Sequence, residues 1–361
     1  MTTYLLAGGG TAGHVNPLLA VADALRARDP DATVLVLGTS EGLESRLVPE
    51  RGYELLIVPR LPFPRRPNRA ALRFLPRFNR AINEVAATLR RRQVDVVVGF
   101  GGYVATPAYL AARRAGIPIA IHEANAKPGL ANRLGSTLTH SVGVAFAGTR
   151  LRHARVVGMP LRREIEVLDR AGSRPEGLTF FGLAADLPTL LVTGGSLGAR
   201  RINRTVVDAA PALVAAGWQV LHITGTQAEV TDPGLDGYRM VAYCDRMDLA
   251  LSVADFAVSR AGAATVSELS ALGIPAAYVP YPVGNGEQRF NAADVVAAGG
   301  GILIDDALFL PAWIESTLLP LLRKPGSIQA MSVAARSVGV LDGTRRTVEL
   351  IDQAARRPKP R

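Results

Sequence analysis

At 361 residues, 48% of them apolar, the chain is long enough for two hydrophobic cores and too long for one ordinary domain. A single cysteine, Cys244, excludes an intramolecular disulfide and a cysteine-based zinc cluster, and points to a reducing compartment. The formal net charge of +10 is uneven: from Arg60 to Arg92 there are ten arginines against one acid, Glu84, a concentration that suits the phosphates of a lipid surface or a nucleic acid.

Met1-Thr2-Thr3-Tyr4 lacks the basic region of a signal peptide. An apolar strand, residues 4–7, leads into Gly8-Gly9-Gly10-Thr11-Ala12-Gly13-His14, a glycine turn before a helix that Pro17 places from about Asn16 to Arg28. Such a turn brings backbone N–H groups close to a phosphate, or merely packs the helix on the strand. Gly8-x-Gly10-x-x-Gly13 fits the dinucleotide fingerprint only in part, because the second strand, residues 33–37, ends in Gly38-Thr39-Ser40 without the acid that a ribose needs. No Gly-Lys-Ser/Thr follows the glycines, which excludes a P-loop. His14, a titratable imidazole at the mouth of the turn, is a candidate general base.

A helix near residues 43–51 and a strand at 55–58 precede the basic segment. There Leu72, Phe74, Leu75, Phe78 and Ile82 recur among Arg69, Arg73, Arg77 and Arg80, as in a helix with an apolar stripe flanked by cations. Pro76 argues for two short pieces, and the stripe faces either a membrane or a core. A strand at 94–98, a second glycine turn from Gly99 to Tyr103, a helix and a strand at 118–122 follow, the last running into His122-Glu123-Ala124-Asn125. The uncharged run 96–112 is interrupted by Gly99, Gly101, Gly102 and Pro107, so no membrane-spanning helix is expected. Ligands of parallel sheets bind beyond the carboxyl ends of the strands, which puts His14, Tyr103, Glu123 and Asn125 on one rim.

Residues 156–162 close this half, and 170–176 read as a polar connection. A strand at 189–193, a third glycine turn (Gly194-Gly195-Ser196-Leu197-Gly198-Ala199) and a helix from about Arg201 restart the same unit, which suggests two nucleotide-fold domains facing each other across a cleft. Strands at 219–224 and 239–242, a helix from about Met247 and a strand at 256–259 lead to Arg260-Ala261-Gly262-Ala263-Ala264-Thr265-Val266-Ser267-Glu268. Small residues at 261–264 leave the amides of a helix start open to a phosphate. Glu268, about a turn further on, suits either both hydroxyls of a ribose or a capping role. After a strand at 275–279, Glu287, Gln288 and Asn291 head another helix and suit a sugar.

Taken together, Gly9-Gly10-Thr11-Ala12-Gly13-His14, Gly101-Gly102-Tyr103-Val104, His122-Glu123-Ala124-Asn125, the Gly194–Ala199 turn, the Arg260 to Glu268 stretch and Glu287-Gln288-x-x-Asn291-Ala292 resemble the MurG family, from residue 4 to about 350. Its members move N-acetylglucosamine from UDP-N-acetylglucosamine to the 4-hydroxyl of undecaprenyl-pyrophosphoryl-N-acetylmuramoyl-pentapeptide in peptidoglycan synthesis, with inversion. The resemblance implies an α/β fold of two facing Rossmann-like domains with parallel sheets, the glycosyltransferase B type. The N-terminal domain, 1–162, would take acceptor and membrane and the C-terminal domain, 163–340, the UDP-sugar; residues 341–361 are expected to form a helix returning to the first domain and a disordered tail.

For the donor the resemblance implies Thr11, Ala12, Gly13 and His14 near the sugar, Asn125 on it, and Arg162 and Ser196 towards the nucleotide and phosphates. The backbone at Cys244 would hold the uracil; the stretch Gly262, Ala263, Ala264, Thr265, Val266, Ser267 would hold the diphosphate, Glu268 the ribose and Gln288 a sugar hydroxyl. Gly102, Tyr103, His122 and Asn132 would lie towards the acceptor. The base is His14, or else Glu123. Ala124, Leu197 and Glu287 replace glutamines frequent in the family.

No metal or other cofactor is expected, because the one Asp-x-Asp, Asp29-Pro30-Asp31, lies at the amino edge of the sheet. An anionic membrane surface is the expected partner of the segment from Arg60 to Arg92, which places the chain peripherally on the cytoplasmic face of the membrane; nucleic acid is not an expected partner, for no reading module is present. A UDP-N-acetylglucosamine 2-epimerase would share the architecture and donor but needs neither the arginine segment nor the first two glycine turns.

Overall fold

The computed structural model describes residues 1–60, 69–195, 197–283 and 286–356, the side chains of residues 12 and 69–73 apart. The chain forms two compact units, one combining Met1–Arg162 with the chain from Asp342 onward, the other Arg163–Leu341.

In the first unit, runs of Val, Leu and Ile form β1 (Thr3–Gly8), β2 (Thr33–Gly38), β3 (Glu54–Ile57), β4 (Val96–Gly101), β5 (Ile119–Glu123), β6 (Ser141–Val144) and β7 (Ala154–Val156). They pair in parallel in the order β3-β2-β1-β4-β5-β6-β7. The helices are α1 (Ala12–Arg28), α2 (Glu44–Glu50), α3 (Arg69–Arg91), α4 (Ala105–Ala115) and α5 (Leu130–Gly135). The inner strands are apolar nearly throughout because both faces are covered, whereas the edge strands β3 and β7 are partly or fully exposed. Leu5, Val97 and Ile121 point to one face and meet Ile82, Val85 and Leu89 of α3 and Tyr109 of α4. Leu6 and Val98 point to the other and meet Leu18 and Leu25 of α1 and Val348 and Ile351 of the last helix, Gly343–Ala355. That last helix is tied down by the Arg28–Asp352 ion pair and by Thr344, whose hydroxyl donates to Leu161 O. The strand order reverses between β1 and β4, so the loops leaving these two strands border one crevice.

The second unit contains α6 (Arg163–Glu166), α7 (Arg170–Phe181), β8 (Thr189–Thr193), α8 (Arg200–Asp208), α9 (Ala210–Ala215), β9 (Gln219–Ile223), β10 (Tyr238–Val241), α10 (Met247–Val253), β11 (Phe256–Ser259), α11 (Ala263–Ala271), β12 (Ala276–Tyr278), α12 (Glu287–Asn291) and β13 (Gly301–Leu303). Its parallel sheet runs β10-β9-β8-β11-β12-β13. Ile202, Val206, Leu213, Val220 and Phe309 fill the core on one face. Here the order reverses between β8 and β11, which places the loops after these strands at the second crevice.

Four local expectations are corrected. The first helix starts at Ala12, not near Asn16, with His14 N and Val15 N both donating to Thr11 O; Pro17, inside the helix, forgoes the bond to Gly13 O. Residues 99–101 are strand, not turn: a side chain at Gly99 would collide with the Tyr109 ring, so this glycine serves packing. Residues 170–176 are not a connection but the start of α7, capped by Asp169 accepting from Ala171 N, with the Arg170 guanidinium donating to the carbonyls of Leu251, Ala254 and Leu272. Finally, α3 runs unbroken through Pro76, with Phe74 and Phe78 stacked at 5.3 Å, and Ile82, only 2% exposed, lies in the core, so the apolar stripe faces inward there. Residues 61–68 of the basic segment and 357–361, the expected tail, lie outside the described residues. Among the described residues no helix is long and apolar enough to cross a membrane.

Candidate active site

The first crevice is built by the glycine turn after β1. Its conformation is set from below by Glu44 at the start of α2, a residue 1% exposed whose carboxylate accepts from Gly10 N at 2.8 Å, Thr39 N at 2.9 Å and Thr39 Oγ1 at 2.8 Å. Burial works against its charge, but the Gly10 and Thr39 hydrogen bonds more than offset this and hold the carboxyl below the usual carboxylate range. A Cβ on Gly9, Gly38 or Gly42 would collide with the Glu44 side chain, so all three glycines make room for it. The Gly10 amide of this turn thus already has an anion, supplied by the protein.

His14 follows on the first turn of α1, half-buried. Its Nδ1 lies 3.2 Å from Gly9 O and 3.2 Å from Thr11 Oγ1. A carbonyl only accepts, so Nδ1 is the donor to Gly9 O, and in the neutral ring this tautomer puts the lone pair on Nε2. The Nε2 atom lies 3.1 Å, and Asn132 Nδ2 3.4 Å, from where a Cβ of Gly101 would stand. Gly102, at φ +78°, brings its backbone against Gly9, so the two loops that border the crevice touch. Tyr103 follows, partly buried.

Glu123 ends β5 only 2% exposed, and its two oxygens organise the loop beyond it: Oε1 accepts from Asn125 N at 2.9 Å, Oε2 from Gly129 N at 3.0 Å and Asn132 Nδ2 at 2.9 Å. Asn132, 1% exposed, also donates to His122 O and accepts from Tyr109 Oη at 2.6 Å. His122 is fully buried; Nε2 donates to Gly158 O, and burial pushes the imidazole down to about 4. The expectation that His122 and Asn132 reach the acceptor is therefore corrected: both are inaccessible and support the loop from beneath. Ala124 is buried as well, which explains why an apolar residue fits there.

In the second unit, the backbones at Gly198 and Gly225, both at φ +89°, pack closely: a Cβ on Gly225 would collide with the Gly198 backbone, and a Cβ on Gly198 with Thr224 O. Asn203 fixes this contact by donating to Thr224 O at 2.8 Å. Gly195, at φ +90°, has open space on its side-chain face, and Leu197 is 63% exposed; Ser196 lies outside the described residues. The start of α11 is capped by Gly262 in an extended conformation without a side-chain bond, so the amides of Ala263, Ala264 and Thr265 precede the first intrahelical donor, Val266 N, which bonds Gly262 O at 2.9 Å. Val266 has its side chain 1% exposed and its amide used within the helix, and the Ser267 side chain is buried. Glu268 is partly buried one turn on, Cys244 is buried between β10 and α10, and Gln288 Oε1 accepts from Tyr281 N at 2.9 Å.

Two further residues, Arg260 and Asp306, shape this crevice. Arg260 donates to Val279 O, Pro280 O and, at 2.6 Å, Asp306 Oδ1, joining the loops after β11, β12 and β13. Asp306 also pairs with Arg201. A cavity of about 840 Å³ opens between the Gly194 turn and this pair; Cys244, Glu268 and Gln288 do not line it. Among the described residues no cluster of three or more His, Cys, Asp or Glu is arranged to hold a metal ion.

Residues 4–144 match the N-terminal domain of glycosyltransferase family 28, and residues 189–346 its C-terminal domain. The chain is 66% identical, over 97% of its length and 98% of the relative, to the UDP-N-acetylglucosamine–N-acetylmuramyl-(pentapeptide) pyrophosphoryl-undecaprenol N-acetylglucosamine transferase of Leifsonia xyli. It is 62% identical to the Clavibacter sepedonicus protein of the same name, over 99% of this chain and 98% of that one. The crystal structure of Acinetobacter baumannii MurG superposes with a TM-score of 0.81 at 28% identity, covering 98% of this chain and 100% of that one. Two parallel-sheet units, a glycine turn at each topological switch point and matches across nearly the whole chain lead to one conclusion: the chain belongs to glycosyltransferase family 28.

Proposed function

We propose that this chain moves N-acetylglucosamine from UDP-N-acetylglucosamine to the 4-hydroxyl of undecaprenyl-pyrophosphoryl-N-acetylmuramoyl-pentapeptide, with inversion at the anomeric carbon. The observation that carries this reading is the 66% identity, across 97% of the chain, to a transferase of that name. The base that such a reaction needs is His14: on the first turn of α1 its Nδ1 faces Gly9 O, which leaves Nε2 to take the proton, whereas both oxygens of Glu123 are taken up by the 125–132 loop. Nε2 takes the proton of the acceptor hydroxyl as its oxygen bonds to C1 of the sugar. The bond from C1 to the diphosphate oxygen breaks on the opposite face, and UDP leaves with the electron pair.

Charge on the leaving diphosphate is met by the Ala263, Ala264 and Thr265 amides and the dipole of α11; Ser196 is assigned to the same phosphates. Glu268 holds the ribose, the Cys244 backbone the uracil and Gln288 a sugar hydroxyl. Thr11, Gly13 and Asn125 are assigned to the sugar, Arg162 to the nucleotide, and Gly102 and Tyr103 to the acceptor. Attachment to an anionic leaflet at the cytoplasmic face is assigned to α3, which exposes Arg77, Arg80 and Leu75.

The test is turnover with UDP-N-acetylglucosamine and a lipid-linked muramoyl pentapeptide, with and without chelator. Product formation at equal rates in both is expected, and His14→Ala should lower kcat on the order of 10²–10⁴-fold with little change in donor KM. Epimerisation of the donor without acceptor would overturn the transferase reading; near-parental turnover in His14→Ala would remove His14 as the base.

A further inference from the structure

The peptide group joining Gly9 to Gly10 is held at both ends. Its N–H, on Gly10, donates to Glu44 Oε2 at 2.8 Å, and its C=O, on Gly9, accepts from His14 Nδ1 at 3.2 Å. The chain of contacts therefore runs from a buried carboxylate, through one planar amide, to the imidazole whose Nε2 points away. A carboxylate on the N–H side polarises the amide and makes its carbonyl a stronger acceptor, because hydrogen bonds in series reinforce one another where the dielectric is low. A Ser-His-Asp triad places its carboxylate directly on the imidazole, which it orients and whose protonated form it stabilises.

We propose that Glu44 is the positioning residue of this transferase: through the Gly9–Gly10 peptide it fixes the orientation and tautomer of His14 and stabilises the imidazolium that forms when His14 accepts the acceptor's proton. The proposal rests on His14 being the base. Three independent features support it. The carboxylate is inaccessible, so its charge has no use at the surface. Three glycines, 9, 38 and 42, leave the space that it fills. Its other bonds, to Thr39 N and Oγ1, fasten the turn after β1 to the end of β2, so that the imidazole is referred to the sheet and not to a loop alone. The titratable groups around His14 are Glu44 across the peptide, His122 on β5, which is buried and feels the His14 charge, and Glu123, linked through the Asn132 amide.

Glu44→Gln keeps the length of the side chain and one acceptor oxygen while removing the charge. With UDP-N-acetylglucosamine and the lipid-linked acceptor, kcat should fall on the order of tenfold while both KM values stay within about twofold. The acid limb of kcat against pH should move to lower pH, because without the carboxylate His14 is harder to protonate. A folded variant with the parent's kcat, or a lower kcat with an unmoved acid limb, overturns the proposal. The tautomer is read independently in the unsubstituted chain by nitrogen NMR of labelled histidine: a proton on Nδ1 supports it, and a proton on Nε2 overturns it even if the variant does not fold. Loss of turnover in His14→Ala together with an unaffected Glu44→Gln would reject Glu44 alone, whereas an active His14→Ala would reject the base on which both rest.

Discussion

Gly102→Ala tests the contact that joins the two loops of the first crevice. Gly102 has φ +78°, and an added Cβ would sit 2.6 Å from Gly9 O, well inside van der Waals contact. Two costs add: holding a non-glycine residue in the left-handed region, about 1–2 kcal/mol, and relieving the overlap, about 1–3 kcal/mol, for a total of roughly 2–5 kcal/mol. Gly10 provides the control, since at φ +87° it has nothing within 4 Å, so Gly10→Ala carries only the backbone cost of about 1–2 kcal/mol. Because the overlap is with backbone, relief requires Gly9 O to shift, and that carbonyl is what orients His14 Nδ1. Urea unfolding of both variants, read alongside turnover at saturating substrates, should show Gly102→Ala as the less stable and with a kcat at least about tenfold down, a modest geometric loss beside the full contribution of a base. Equal stability losses in the two variants, or a parental kcat in Gly102→Ala, would refute the reasoning.

Glu268→Ala should raise the donor KM by about 10- to 100-fold through loss of charge-assisted hydrogen bonds worth roughly 1.5–3 kcal/mol each, measured as initial rates against UDP-N-acetylglucosamine; an unchanged KM would leave Glu268 a helix residue only. His122 is buried neutral, with its imidazole pushed down to about 4, so the unfolded chain binds the extra proton and stability should fall as pH drops from about 6.5 to 4, by about 3 kcal/mol. Urea midpoints at pH 7 and 4.5 should therefore diverge less in His122→Gln than in the parent, and an identical pH dependence would contradict the assignment. Arg77→Glu combined with Arg80→Glu should abolish sedimentation with anionic vesicles while sparing turnover of a short-chain acceptor, each arginine being worth about 1 kcal/mol near such a surface; undiminished vesicle binding would remove α3 from the membrane interface.

The sequence by itself determined the alternation of strand and helix in both halves, because apolar runs of four to six residues punctuated by glycine have few other folded solutions. It also marked the glycine turns that the strand order then placed at the two switch points, and the bare helix start before Glu268, since these depend on the residue types of a single local stretch. Only the tertiary structure decided what each glycine is for: Gly99 looks like its neighbours in the sequence but clears space for Tyr109 of α4, while Gly9 clears space for Glu44. It likewise decided that His122 and Asn132 lie under the site and not in it, and that the stripe of α3 turns inward at Ile82. Glu44 carried no readable signal, because a carboxylate that follows a strand and opens a helix is ordinarily a solvated helix-end residue. Its partner Gly10 is 34 residues away and reaches it only because β2 pairs with β1 in one particular register. Local chemistry is written in neighbouring residues, whereas burial and partnership depend on which distant strands lie side by side, and that is settled by the packing of the whole sheet.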